Sequence, residues 1–106
     1  MTRQRLSNRR ESAVFDLESV GIRVTASVSR YPDSRIGELL LDNHKAGGTV
    51  GTLFCDLAIV FSFAVQHGAD AEAIRRALCR DSQDRPLGPL GQALDLLLES
   101  QGREVP

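Results

Sequence analysis

A short run near the middle of the chain has the composition of an anion-binding turn. His44 and Lys45 can supply positive charge, and Gly47, Gly48 and Thr49 stand directly ahead of an apolar segment. Free backbone N–H groups and the dipole at the start of a helix favour a negatively charged group. The run lacks the P-loop spacing G-x-x-x-x-G-K-[ST], so a glycine pair that only turns a strand into a helix is the alternative. We therefore expect either a weak phosphate site or a structural turn.

Asp56 is the one carboxylate predicted to lie inside a strongly apolar helix. A carboxylate that is buried there needs a partner, which makes Asp56 a candidate site residue. The simpler interpretation is a narrow polar stripe on one side of the helix. That stripe comprises Thr52, Asp56, Ser62, Gln66 and His67. The sequence therefore leaves the role of Asp56 open and assigns no catalytic residue.

The two cysteines and two histidines do not form a metal-ligand pattern. Cys55 and Cys79 belong to no C-x-x-C pair, and His44 and His67 are also far apart in the sequence. Zinc sites bring such ligands together at short spacings, and a disulfide framework needs more cysteines. We expect no metal and no cofactor. We also expect a buried Cys55, an exposed Cys79 and a His67 that interacts with the carbonyl end of its helix.

Hydrophobic periodicity predicts the elements that position these residues. Alternating apolar residues predict three strands, over 13–17, 22–29 and 36–42, joined by short turns. Apolar residues at helical spacing predict helices over 49–67, 71–78 and 90–99. Strands followed by helices are typical of the α+β class. We therefore predict a three-stranded antiparallel meander followed by three helices packed on one face of the sheet.

The first helix is predicted to be the central one, because it is apolar nearly all round. Thr49 is a candidate N-cap, Gly68 suits the left-handed residue after the helix, and Asp70 is a candidate N-cap for the second helix. The apolar stretch over 53–65 is shorter than the ~20 residues that cross a bilayer. We therefore expect a buried core helix rather than a membrane span.

The same helix carries more apolar surface than the other predicted elements need to cover. Ile59, Val60 and Phe63 lie close to its polar side. Apolar surface left uncovered in a small domain favours association with another chain. We therefore predict a homodimer.

The composition is that of one soluble globular domain. The 106 residues are 42% hydrophobic and 25% charged, with a net charge of −1, which argues against attraction to nucleic acid or a membrane. Four arginines among the first ten residues predict a flexible basic arm over 1–11. A single domain over 12–100 and a tail over 101–106 follow. The low cysteine usage and the absence of an apolar leader favour a cytoplasmic location.

Four segments, in order along the chain, resemble the signature of one family. They cover residues 42–49, 56–62, 66–69 and 88–97. The first three resemble the pattern K-A-G-S … D-A-x-x-x-S … Q-H/Y-G, and the last resembles S-P-I-G-x-A-L-D-L-L. Both patterns belong to the TSCPD domain near the C-terminus of adenosylcobalamin (vitamin B12)-dependent ribonucleoside-diphosphate reductases. The resemblance extends over about residues 9–98.

The resemblance implies a link to ribonucleotide reduction, with a reductase as a possible partner. The Thr-Ser-Cys-Pro-Asp motif that names the family is absent, and two lone cysteines cannot supply the radical and reducing chemistry of this oxidoreductase. We therefore predict a free-standing accessory or regulatory module that acts by protein or nucleotide binding in deoxyribonucleotide metabolism. The alternatives are a small enzyme or enzyme subunit that uses the 44–49 loop, or a purely structural homodimer.

Overall fold

Three strands and then three helices make up the computed structural model, which describes residues 2–6, 11–43 and 48–102. The elements are β1 (Glu11–Ser19), β2 (Ile22–Arg30), β3 (Ile36–Asp42), α1 (Thr49–Gln66), α2 (Ala71–Ala77) and α3 (Pro89–Gly102). The predicted α+β class and the predicted order of elements are confirmed. β3 begins and ends at the predicted residues.

The sheet is an antiparallel meander in the order β1-β2-β3. Ala26 of β2 is buried between Phe15 of β1 and Leu41 of β3. In the next row of the sheet, Val14 and Leu40 are exposed. Successive side chains of a strand point to opposite faces, so one face of this sheet is packed and the other faces solvent.

The core lies between the packed face of the sheet and the helices α1 and α3. The helical contribution comes from apolar residues at helical spacing, namely Phe54, Ala58, Phe61, Val65, Leu90, Ala93 and Leu94. Because α3 supplies three of these buried residues, it is part of the core rather than an appendage.

α1 lies along the outer edge of β3 and bonds to its backbone. The Ser62 hydroxyl accepts a hydrogen bond from the Leu39 N–H at 2.9 Å and donates one to the Leu39 carbonyl at 3.1 Å. One turn further along, the Gln66 amide donates to the Gly37 carbonyl at 2.8 Å. A strand edge presents unpaired backbone groups, and these two side chains form hydrogen bonds to such groups of β3 in place of a fourth strand.

The residues of the predicted polar stripe on α1 have different surroundings. Ser62 and Gln66 are buried against β3, whereas Thr52 and Asp56 are exposed. The two buried side chains are polar because they bond to the strand edge, and not because they face solvent.

α1 is not the fully buried helix that the sequence predicted. Only six of its 18 residues are buried, and Leu53, Ile59, Val60 and Phe63 are exposed. Among the described residues this is the one helix long and apolar enough to cross a membrane, judged by length and composition alone, and it is longer than the 53–65 stretch considered above. A third of it is buried inside the protein. Its bonds to β3 are those of a helix packed on a sheet.

Residues 2–6, within the predicted N-terminal arm, lie against the body of the protein. The Gln4 N–H donates to the Gln66 carbonyl at 2.7 Å, and the Tyr31 hydroxyl donates to the Gln4 carbonyl. The Arg3 guanidinium lies 4.6 Å from the centre of the Phe63 ring. Mobility of residues 1–11 stays a prediction, and residues 7–10 lie outside the described part of the chain.

Ion pairs join α2 and the following loop to α3. The Asp95 carboxylate accepts from Arg75 at 3.0 Å and from Arg80 at 2.9 Å. Burial acts to raise the pKa of Asp95, but the hydrogen bonds from Arg80 and Arg75 outweigh it and hold that pKa below its usual range. Hydrogen bonding to Arg75 likewise lowers the pKa of Glu72 to about 2. Because both pKa values are lowered, the network is fully charged at neutral pH and its stabilisation is lost only as the pH falls into the acid range.

Candidate functional site

A cleft lies between the end of β3 and the first turns of α1, next to the predicted anion loop. Its volume is about 460 Å³. The polar groups that line it are Asp42 and Asn43 from the end of β3, and Thr52, Cys55 and Asp56 from α1. The Asn43 side chain is buried and lies so close to Gly51 that a Cβ there would approach it to 3.1 Å. A small residue at position 51 therefore lets β3 and α1 approach each other at the floor of the cleft.

The structure describes two of the five residues predicted to bind an anion. Gly48 is the N-cap of α1, with φ 91° and ψ 151°, and Thr49 is the first residue of the helix. His44, Lys45 and Gly47 lie outside the described residues. The prediction that Thr49 caps the helix is wrong, because the cap position falls one residue earlier. A φ of 91° lies in the left-handed region that favours glycine, which is the physical reason for Gly48 at this turn.

Among the described residues, no side chain makes a capping hydrogen bond at the N-terminus of α1, and the first turn contains no acidic residue. The backbone N–H and the hydroxyl of Thr52 both donate to the Gly48 carbonyl at 3.2 Å, which closes the first turn. The first N–H groups of a helix have no partner within the helix, so without a side-chain cap they remain for water or a ligand.

The described part of the cleft is acidic. Asp42 and Asp56 both line it, and no basic residue does so among the lining residues that the structure describes. Two carboxylates repel a phosphate group, so the cleft favours a neutral or positively charged ligand. A phosphate at this end of the protein would therefore depend on His44 and Lys45 and on the uncapped start of α1.

The remaining candidate residues lie apart from one another. Cys55 and Cys79 are free and exposed, so the predicted burial of Cys55 is wrong and the exposure of Cys79 is confirmed. Cys55 is exposed because it lies on the flank of α1 beside the cleft. His67 donates from Nδ1 to the Phe63 carbonyl at 2.8 Å, which confirms its interaction with the carbonyl end of α1. It lies about 16 Å along the helix from Asp56 and does not form a pair with it.

The described residues bring no candidate metal ligands together. Within residues 2–6, 11–43 and 48–102, no three His, Cys, Asp or Glu side chains come close enough to hold a metal ion. The features that remain at this site are the acidic cleft, the uncapped helix start and an exposed thiol.

Comparison with known proteins finds that part of the chain is similar to a segment of vitamin B12-dependent ribonucleotide reductases. The vitamin B12-dependent ribonucleotide reductase of Agrobacterium fabrum is 31% identical over 70 residues, and that of Rhodopirellula baltica is 32% identical over 72 residues. The alignments cover 66% and 68% of this chain but only 6% and 7% of the reductases. The chain is similar to a short segment of a reductase. We found no family model and no solved structure that matches it.

These alignments support the relation to ribonucleotide reductase that the sequence motifs implied. The similar segment is a small fraction of each reductase, so the comparison concerns one region and not the whole enzyme. Membership of the TSCPD family in particular stays a prediction.

Proposed function

We propose that this chain is an accessory or regulatory binding module of ribonucleotide reduction, and that its partner is a vitamin B12-dependent reductase. The observation that carries the proposal is the similarity of about two-thirds of the chain to a segment of two such reductases. Two lone cysteines are too few for the reduction itself, which favours a binding role. The proposal includes a cytoplasmic location, which the low cysteine usage supports.

The cleft between β3 and α1 is the proposed contact with the reductase. Leu40, which borders the cleft, is 50% exposed and offers apolar area, while Asp42 and Asp56 supply negative charge. An apolar contact flanked by charge is the usual arrangement of a specific protein interface. The complementary segment of the reductase is therefore expected to present an apolar side chain beside a basic one.

Binding to the purified reductase tests this proposal. The immobilised chain is expected to bind the reductase of the same cell, and Leu40→Glu is expected to weaken binding at least about tenfold, because it puts a charge into the apolar contact. Val14→Glu is the matched control. Val14 lies in the same row of the open sheet face, is 68% exposed, and does not line the cleft. Absence of binding at high micromolar reductase, or equal losses for the two variants, would contradict the proposed contact.

Nucleotide binding at the 44–49 loop is a second candidate function, favoured by the uncapped start of α1. Calorimetric titration with ATP, dATP and the nucleoside diphosphates is then expected to show weak binding that decreases with added salt. Lys45→Ala is expected to reduce this binding. Lys45→Arg, which keeps the charge, is the control. If no nucleotide binds below millimolar concentration, this candidate is excluded, and turnover of a nucleotide would instead support the enzyme alternative.

A further inference from the structure

A row of side chains on the outer face of α1 has the spacing of a helix–helix seam. The row consists of Leu53, Asp56, Val60, Phe63 and His67, which follow one another at alternating intervals of three and four residues. This is the spacing of the a and d positions through which two helices pack. We call this row the α1 seam.

The α1 seam is exposed and mostly apolar. Leu53 is 59% exposed, Val60 66% and Phe63 47%, and Ile59 beside them is 44% exposed. The buried residues of α1 lie on the opposite side of the helix, against β3 and the core. A contiguous exposed apolar row on a small domain marks a surface that binds another protein.

Charge is distributed unequally along the seam. Asp56 lies in its N-terminal half, whereas His67 lies at its C-terminal end, with the Arg3 guanidinium on the neighbouring Phe63 ring. The His67 ring stacks on the Phe63 ring, and the centres of the two rings lie 5.9 Å apart. The seam thus has an acidic half, an apolar centre and an end whose positive charge comes from the Arg3 guanidinium.

We propose that the α1 seam binds the α1 seam of a second copy of this chain, with the two helices antiparallel. In antiparallel pairing an a position faces a d position, so Val60 of one copy faces Phe63 of the other. The same register places Asp56 opposite His67 of the second copy. Two-fold symmetry produces each of these contacts twice, so that acidic and basic halves meet on both sides of an apolar centre.

Charge complementarity selects this register among those available to the seam. A shift by one repeat would place Asp56 opposite Val60 and would bury a carboxylate against apolar atoms on both sides, which is costly. The dimer and the proposed reductase contact share Asp56, whereas Leu40 belongs only to the cleft and Val60 and Phe63 belong only to the seam.

The oligomeric state of the purified chain tests the position of the interface. Analytical ultracentrifugation at high micromolar concentration is expected to show a dimer, and Val60→Lys is expected to weaken dimerisation at least about tenfold. Val14→Lys is the matched control, because Val14 is the same residue type at nearly the same exposure, 68% against 66%, on the open face of the sheet. A monomeric wild-type chain would overturn the proposal, and so would a dimer that Val60→Lys leaves intact.

Charge reversal tests the antiparallel register. Asp56→Lys and His67→Glu are each expected to weaken the dimer about tenfold. The first places a lysine opposite the end of the seam that carries the Arg3 guanidinium, and the second places two carboxylates opposite one another, in each case twice. The double variant restores opposite charges and is expected to return the dissociation constant to within about threefold of the wild type. Glu18→Lys makes the same change of charge on β1 and is expected to have no effect. Circular dichroism confirms that each variant is folded, and a double variant as weak as the single ones would overturn this register.

Discussion

Leu94→Ala is expected to lower the free energy of unfolding by about 2–5 kcal/mol. Leu94 is 0% exposed and belongs to the part of α3 that packs into the core with Leu90 and Ala93. Removal of its side chain loses apolar burial and leaves a cavity that the surrounding residues fill only in part. Urea denaturation followed by circular dichroism measures the change.

Leu96→Ala provides the control for this experiment. Leu96 lies on the same helix but is 49% exposed, so its truncation is expected to cost less than about 1 kcal/mol. The comparison keeps the substitution and the helix constant and changes only the burial. Similar losses for the two variants would show that α3 is not docked through Leu94.

Ser62→Ala is expected to destabilise the protein by about 2–3 kcal/mol, a large effect for the loss of one oxygen atom. The hydroxyl bonds both the N–H and the carbonyl of Leu39, and Ser62 is only 7% exposed. Alanine would leave both backbone groups of the strand edge buried without a partner, and each such group carries a desolvation penalty of about 1–3 kcal/mol. The measurement is again urea denaturation.

Ser82→Ala is the matched change at an exposed position, in the loop between α2 and α3. It is expected to alter the free energy of unfolding by less than about 0.5 kcal/mol. If Ser62→Ala proved equally mild, water would be replacing the hydroxyl at the edge of β3, and the account of how α1 docks would need revision.

The sequence was sufficient for the fold because the signals involved are local. The alternation in β3 depends on neighbouring residues only, and so does the cap at Asp70, whose side chain accepts from the Glu72 N–H at 3.2 Å. Gly68 adopts the predicted left-handed conformation, with φ 102°. Elements defined by such short-range patterns can be found without knowledge of what they pack against.

The surroundings of α1 could not be predicted in the same way. Polar residues at helical spacing indicate either solvent or a buried hydrogen-bond partner, and only the position of β3 shows that Ser62 and Gln66 have the latter. The prediction of a buried Cys55 was wrong for a different reason, because it assumed that α1 is covered on all sides. The cluster of Arg75, Arg80 and Asp95 was missed because α3 returns to α2 only in the folded chain.

At the candidate site, the sequence identified the turn but not the cleft beside it. The glycine pair before α1 was interpreted as a possible turn, and its described member, Gly48, has the left-handed conformation that favours glycine. The acidic lining arises from Asp42 and Asp56, which lie on different elements and meet only when α1 packs along β3. Their shared charge is therefore a property of the fold and is not visible in the spacing of residues.

Because the Leu39 N–H bonds to a helix, hydrogen–deuterium exchange at neighbouring amides of β3 reports on different opening motions of the protein. The Leu39 N–H is protected by the Ser62 hydroxyl, so it exchanges when α1 moves away from the strand. The Leu40 N–H points the other way, towards β2, because alternate residues of an antiparallel strand face opposite neighbours, and it exchanges when β2 and β3 separate. Two adjacent amides thus report separately on detachment of the helix and on opening of the sheet, without any label or substitution.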